Sequence, residues 1–312
     1  MRREGSAFQG LGVVVLKELS DHFASARMRV LEWLVVLTAL AAVYGAIQQV
    51  RDVTAEDPFL FLRLFTTARE PLPSFVSFLG FLVPLMAIGM GFDAINGEHS
   101  RRTLSRILSQ PIYRDALLFG KFLAGLLTLT VSFLSLWLLV IGLGLIMLGV
   151  PPGGEEMARA FLFLFVTVVY AGVWLALAML FSIIFRSAAT AALVTLGLWL
   201  FITVIWPALS SAVAEALFAT ADQATLVTGG QMLARLSPAT LFGESVLALL
   251  HPTTRTLGPV YLSQLQGAVM GSPLPFWDSV MVAWPQIVGL IAATILLFVV
   301  GYISFQRQEV RA

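Results

Sequence analysis

The 312 residues include no cysteine, which excludes disulfides, thiolate metal sites and cysteine nucleophiles and leaves the redox compartment unreadable. Charge is nearly as scarce. Asp, Glu, Lys and Arg make up 12% of the chain against roughly 25% in soluble domains, while 58% is hydrophobic and mean hydropathy is +0.90. That composition is one of a polytopic membrane protein. No basic domain or basic-aromatic surface stands apart from the apolar runs, so no nucleic-acid partner is expected.

Chemistry-bearing motifs are missing as well. There is no G-x-x-x-x-G-K-S/T, since Gly120-Lys121 is followed by Phe122, so the chain has no phosphate loop of its own. There is no H-E-x-x-H, and His22, His99 and His251 fall in separate segments, without metal-ligand spacing. No nucleophile and base pair is evident. The chain is therefore expected not to be an enzyme and to bind no cofactor; any nucleotide energy would have to come from another chain.

What is present is length in apolar runs. A helix needs about 20 apolar residues to cross ~30 Å of hydrocarbon. Six stretches qualify: Trp33–Val50, Leu72–Phe92, Phe122 to about Gly149, Ala160–Phe185, Ser187 to about Ser210, and Ser279–Phe305. The third exceeds one crossing, so it must tilt or emerge. Thr256–Trp277 is also uncharged, but its glycines, prolines and glutamines mark an irregular loop. Glu32, Asp93 and Lys121 sit at span ends, where snorkelling or capping accounts for them. Pro84 lies inside span two as a candidate hinge, and Pro207 is expected to help end span five. Gly89, Gly91, Gly142, Gly144, Gly172 and Gly197 permit close helix approach, within one chain or between two.

Six spans put both termini on one side. Thirteen of the 19 Lys and Arg residues fall there, whereas the other side holds Arg51, Arg63, Arg69, Arg159, Arg235 and Arg255 together with most of the acids. The positive-inside rule makes the basic side cytoplasmic. Charges at Lys17, Glu18 and Asp21 interrupt the apolar region a signal peptide would need, so the N-terminal segment is expected to be retained. In Phe8–Ala26, the residues Phe8, Leu11, Val15, Leu19, His22 and Ala26 form one stripe, as in an amphipathic helix on the inner surface. Between the last two spans, Leu241, Phe242, Val246, Leu249 and Leu250 suit a short helix that dips back toward the membrane. The expected fold is all-α and integral to the membrane: six transmembrane helices, an N-terminal amphipathic surface helix and a long outer loop between helices five and six. It is one transmembrane domain over 1–312, divided into a cytoplasmic surface helix (1–29), spans one to five (30–210), an extracytoplasmic loop (211–278), and span six with a cytoplasmic tail (279–312).

The basic segment GEHSRRTLSRILSQPIYR at 97–114 joins spans two and three. Leu104, Ile107 and Leu108 share one helical face and Arg102, Ser105, Arg106 and Ser109 the other, until Pro111 breaks the helix. Asp115 then lies in the first turn of the next helix, where the dipole favours a carboxylate. Physically this is either a loop held on anionic headgroups or a rigid elbow that transmits force from a soluble partner to two spans. The run from Asp93 to Lys121 resembles the ABC-2 class of bacterial ABC transporter permeases, at Asp93, Gly97, Glu98, Arg101, Thr103, Leu104, Leu108, Pro111, Ile112, Arg114, Gly120 and Lys121. Arg102 stands where many members have glycine. Within the class the chain is most similar to the group that includes permeases linked to copper-enzyme maturation.

The resemblance implies a permease subunit of an export-type transporter in the bacterial cytoplasmic (inner) membrane. It would form a homodimer or heterodimer and bind two copies of a separate ABC ATPase that holds ATP and Mg. It implies ATPase contact through Glu98, Arg101, Arg102, Thr103, Leu104, Arg106 and Leu108 in the elbow, a coupling helix, and through Lys17 and Glu18 in the surface helix; Pro111 joins Pro84 as a candidate hinge. The alternatives are a subunit that acts on an extracytoplasmic partner protein without moving a substrate, and an ion-coupled secondary transporter, against which the absence of intramembrane carboxylates counts.

Overall fold

The computed structural model describes residues 10–50, 59–70, 72–100, 113–149, 151–219, 222–257 and 272–307. Among them there are helices and turns but no strand, only one isolated bridge between Arg69 and Leu72. Helix α1 (Leu11–Ala24) precedes α2 (Ala26–Val50), which is span one. A short α3 (Arg63–Thr66) leads to α4 (Phe75–Gly91), and α4 continues through a turn into α5 (Asn96–Ser100) as span two. Spans three and four are α6 (Arg114–Leu148) and α7 (Gly154–Ile184). Span five is α8 (Ala188–Leu200), a π turn at Phe201–Ile205, and α9 (Trp206–Leu217). Helices α10 (Gln223–Ala234) and α11 (Pro238–Leu250) precede α12 (Phe276–Arg307), span six.

All six expected spans are present, and most are longer than their apolar runs. Backbone hydrogen bonding carries a helix past its last apolar residue until a cap or break stops it. At 1.5 Å per residue α6 is about 52 Å long, so about 20 Å projects beyond the hydrocarbon. Span four is the axis of the bundle: 72% of its most apolar stretch is buried, against 17% for spans five and six. Spans two, three, five and six all pack on it.

Three expectations need correction. Pro207 does not end span five; it lies in the first turn of α9, which runs on to Leu217. Proline cannot donate to the preceding turn, and the widened π turn just before it absorbs that loss. Second, Lys121 does not snorkel to water; its side chain is 5% exposed and lies among carboxylates. Third, Glu32 does not cap its helix; its carboxylate accepts from Ser132 of span three at 3.0 Å. Helix α2 begins at Ala26, so Glu32 sits about 9 Å along it. Pro84 lies buried within the continuous helix α4, and Pro111 lies outside the described residues.

The segment between spans five and six contains more helix than a loop. α10 and α11 meet at a bend of 108°. Phe242 of α11 stacks on Tyr170 of span four, ring centres 4.5 Å apart, and the Tyr170 hydroxyl donates to the Gly80 carbonyl at 3.1 Å. Tyr170 is about 24 Å along α7, so α11 starts deep against the bundle and runs back outward. The residues on either side of 258–271 are turn and coil, and span six begins at Phe276.

The glycines divide by where they face. A Cβ on Gly91 would meet Ala178, and one on Gly144 would meet Leu64 and Phe61; Gly89 and Gly172 also lie against neighbouring helices, whereas Gly142 and Gly197 have nothing within 4 Å.

Candidate coupling site

The end of the bundle where α1 and the last turn of α12 lie holds a polar cluster. Helix α1 lies along the first part of α6 because Gly120 lets it approach: a Cβ there would come 2.6 Å from Val14 Cγ1. The contacts advance together, Val14 at Gly120, Glu18 at Lys121, His22 at Thr128, so α1 runs alongside α6 in the same direction. Its buried stripe centres on Val14 and Glu18, flanked by the partly buried Leu11, Val15, Leu19 and His22 of the expected face.

Lys121 is the centre of the cluster. Its Nζ donates to Glu18 Oε1 of α1 at 2.9 Å and pairs with Glu98 Oε1 of α5 at 2.7 Å. Lys17, largely exposed, donates to the same Glu18 oxygen at 2.8 Å and pairs with Asp21 Oδ2 at 2.9 Å. Burial by itself would raise the Glu18 carboxyl, but the Lys121 charge and hydrogen bonds from Lys17 and Lys121 hold it below the usual carboxylate value. Burial would lower Lys17, yet its hydrogen bonds to Glu18 and Asp21 push the ammonium above its ordinary value. His22, whose Nδ1 lies 3.2 Å from Thr128 Oγ1, is pushed down chiefly by burial.

The neighbouring turns are anchored too. Ser182 Oγ near the end of span four accepts from the backbone amides of Ile95 and Asn96 at 2.9 and 3.2 Å, and Asn96 Nδ2 donates to the Phe185 carbonyl at 3.2 Å. Arg27 forms a two-pronged pair with Asp93 at 3.0 and 3.2 Å and lies over the Phe92 ring. Arg114 at the start of α6 lies over Phe305 of span six, and Asp115 accepts from Gln306. Both flanks of the elbow, Ser100 and Tyr113, thus lead into elements fixed to other spans.

Of the expected contact residues, Lys17 is exposed at the surface of α1, while Glu18 and Glu98 turn inward onto Lys121. Arg101, Arg102, Thr103, Leu104, Arg106 and Leu108 lie outside the described residues. Sequence reasoning missed Ser182, Asn96 and Arg27 as fasteners.

The opposite end has its own charged centre. Arg159, expected in an outer loop, is fully buried in the second turn of α7. It donates to Glu155 Oε1, to the Leu249 and Leu274 carbonyls and to Ser279 Oγ, at 2.6 to 3.0 Å. One guanidinium therefore joins span four, the end of α11 and the start of span six. Deeper in, Arg235 pairs with Glu244 at 2.8 Å, and Gln286 of span six donates to the same carboxylate oxygen at 3.0 Å.

With this geometry in view, the comparisons with known proteins fall into place. The family described as ABC-2 family transporter protein matches residues 13–310. The chain is 33% identical over 148 residues to a probable ABC transporter permease protein NosY of Pseudomonas aeruginosa, covering 46% of this chain and 52% of that relative. It is 28% identical over 199 residues to a probable ABC transporter permease protein NosY of Stutzerimonas stutzeri, covering 62% of this chain and 66% of the relative. The chain spans about half of the first relative's length and just under two thirds of the second's. A match that runs from α1 through span six, on a six-span helical bundle, makes this multi-pass membrane chain a member of the ABC-2 transporter family.

Proposed function

We propose that this chain is the membrane permease subunit of an ATP-driven exporter and that the Lys121 cluster passes the motion of a separate ATPase into the spans. The observation that carries this reading is the bridge from Glu18 on α1 through Lys121 on span three to Glu98 at the start of the elbow. A push on the elbow displaces Glu98, and the buried pair resists separation because the Lys121 ammonium would lose one of its two compensating carboxylates in a poorly solvated place. The ATPase, in two copies, holds ATP and Mg; this chain binds neither and hydrolyses nothing. Its contacts are Arg101, Arg102, Thr103, Leu104, Arg106 and Leu108 in the elbow and Lys17 on α1, with Glu18 and Glu98 acting behind them. The permease works as a homodimer or heterodimer in the bacterial inner membrane, with both termini cytoplasmic.

The test is ATP hydrolysis by the partner ATPase with and without this chain, comparing wild type with the Arg102→Glu, Arg106→Glu double variant. Binding and a changed rate for wild type, both lost in the variant, support coupling through the elbow. If the variant behaves as wild type, the arginines are lipid anchors and the coupling assignment fails.

A second reading, action on an extracytoplasmic partner with no substrate crossing, is favoured by Arg159. A fully buried guanidinium that fastens α11 and the start of span six to the central span suits an outer segment that moves as one body with the bundle. Stimulation of hydrolysis by a soluble outer protein, with no lipid-soluble cargo needed, would select this reading.

A further inference from the structure

Between spans one and three, toward the basic end, lies a cleft of about 290 Å³ lined by Phe23, Glu32, Val36, Met86, Ser132 and Leu139 among others. Its walls are apolar except at one place. There Ser132 donates to Glu32 Oε1 at 3.0 Å, and Ser135 also lines the cleft, its own hydroxyl spent on the Val131 carbonyl at 2.8 Å. Among the described residues no Lys, Arg or His comes within 4.0 Å of the Glu32 carboxylate. Arg27, the nearest arginine on the same helix toward the basic end but one, is committed to Asp93.

The polar lining is thus a set of acceptors: a carboxylate and two hydroxyl oxygens whose protons are already donated. Such a set repels phosphate and has no N–H to meet in a quaternary ammonium, but it matches the three donors of a primary ammonium. An uncompensated carboxylate beside lipid is costly, and a cation from the bilayer removes that cost. One turn nearer the basic end, Arg29 is exposed, and its guanidinium makes no hydrogen bond or ion pair among the described residues. At a spacing of three it lies on the side of α2 that carries Glu32, where it can meet a phosphate. Along Val36, Met86 and Leu139 the cleft is suited to an acyl chain. The exposed neighbours Trp33, Leu34 and Val131 leave it approachable from the side of the bundle.

We infer that the cleft binds an aminophospholipid of the phosphatidylethanolamine type, with its primary ammonium between Glu32, Ser132 and Ser135, its phosphate on Arg29 and one acyl chain along the apolar wall. The site concerns this chain and a lipid alone, so its test is independent of the ATPase partnership.

The full chain is placed in nanodiscs of phosphatidylethanolamine, phosphatidylcholine and phosphatidylglycerol in equal parts, and the lipids retained on gentle extraction are weighed by native mass spectrometry. Wild type is expected to retain phosphatidylethanolamine about tenfold over phosphatidylcholine, with that preference lost in Glu32→Gln. Leu139→Trp, which fills the cleft and leaves the carboxylate, should reduce the retained lipid as well, and unchanged thermal unfolding of either variant shows that folding is not the cause. Equal retention of the quaternary phosphatidylcholine by wild type overturns the assignment. So does an undiminished preference in Glu32→Gln. A changed oligomer mass in Glu32→Gln with no change in lipid would show that a second copy of the chain covers the cleft, and would overturn it too.

Discussion

Replacing Lys121 by methionine keeps most of the side chain's length and apolar bulk and removes its charge. In the native cluster that ammonium compensates Glu18 at 2.9 Å and Glu98 at 2.7 Å, with the two carboxylate side chains 10% and 13% exposed. Breaking a buried ion pair by deleting one partner costs about 3–5 kcal/mol. The low end applies here, because Glu18 keeps Lys17 at 2.8 Å and both carboxylates have some access to water. About 3 kcal/mol corresponds to roughly a hundredfold rise in the population with α1 undocked from α6. The chain has no native cysteine, so Val14→Cys, at a position 5% exposed against Gly120, reports undocking without background. When opening and closing are fast, maleimide labelling follows the open population, so the rate should rise by about two orders of magnitude in the Lys121→Met background. Adding Glu98→Gln removes the facing charge and should recover part of the loss, which a double-mutant cycle would measure. Equal labelling rates with lysine and methionine at 121 would refute the reasoning: α1 would then be held by apolar contact alone.

Gly120→Val should undock α1 by a different route, since a Cβ at 120 lies 2.9 Å from the Cβ of residue 14, an atom the cysteine reporter keeps; overpacking of about 1–3 kcal/mol should appear as faster Val14→Cys labelling with the ion pairs intact. Acidification should loosen the same contact. His22 is held below its ordinary 6.5 by burial, so the docked form binds fewer protons than the undocked one; its contribution is full above about 6.5 and is lost as pH falls through the docked value. Glu18, held below its ordinary 4.5 against the effect of burial, contributes above that value and loses its share at lower pH still. Labelling at Val14→Cys, corrected by an exposed Ser20→Cys control, should therefore rise below about pH 6.5, and His22→Gln should flatten the upper part of that rise. At the other end, Arg159→Met should destabilise the bundle by about 3–5 kcal/mol, because it leaves the Leu249 and Leu274 carbonyls and Glu155 without their donor; thermal unfolding in detergent would show it. Lys17→Cys and Asp222→Cys should label from opposite faces of sealed vesicles with an impermeant maleimide, the first only from the cytoplasmic face.

The spans were legible because lipid imposes a length on every apolar run, and that length is written in consecutive residues. The helix ends were less so. Ala26, Arg114 and Leu217 extend their helices beyond the apolar stretch, where capping and neighbouring contacts decide, as they do not in hydropathy. Lys121 was misread for a related reason. Considered on its own helix, a lysine near a span end snorkels, and its partners lie 103 residues earlier at Glu18 and in another helix at Glu98. A signal for Glu18 did exist. It falls three residues after Val15 and four before His22, on the apolar stripe itself, and an acid on a stripe that must be buried requires a cation across the interface. Arg159 had a comparable signal in Glu155 four residues before it, an ion-pair spacing at the start of a helix. Nothing in periodicity indicates that α11 would turn back against Tyr170, because that contact depends on how the central span is placed.

Span four is the element in contact with both charged ends. At one end Ser182 and Phe185 hold the turn that leads into the elbow; at the other Arg159 holds α11 and the start of span six. In between the helix is the most buried of the six, and close-packed interiors have no slack in which a displacement can dissipate. Span five, exposed along much of its length, leaves a face free to meet another chain, whereas span six is held to span four through Arg159 and Ser279. An elbow displaced relative to span four must either drag that helix, carrying the Arg159 assembly with it, or part the Ser182 hydrogen bonds and swing spans two and three alone. The two outcomes differ in what reaches the far end. Ser182→Ala removes the fastening without touching a charge, so it separates them: under the first the outer segment loses its response to the elbow, and under the second it never had one.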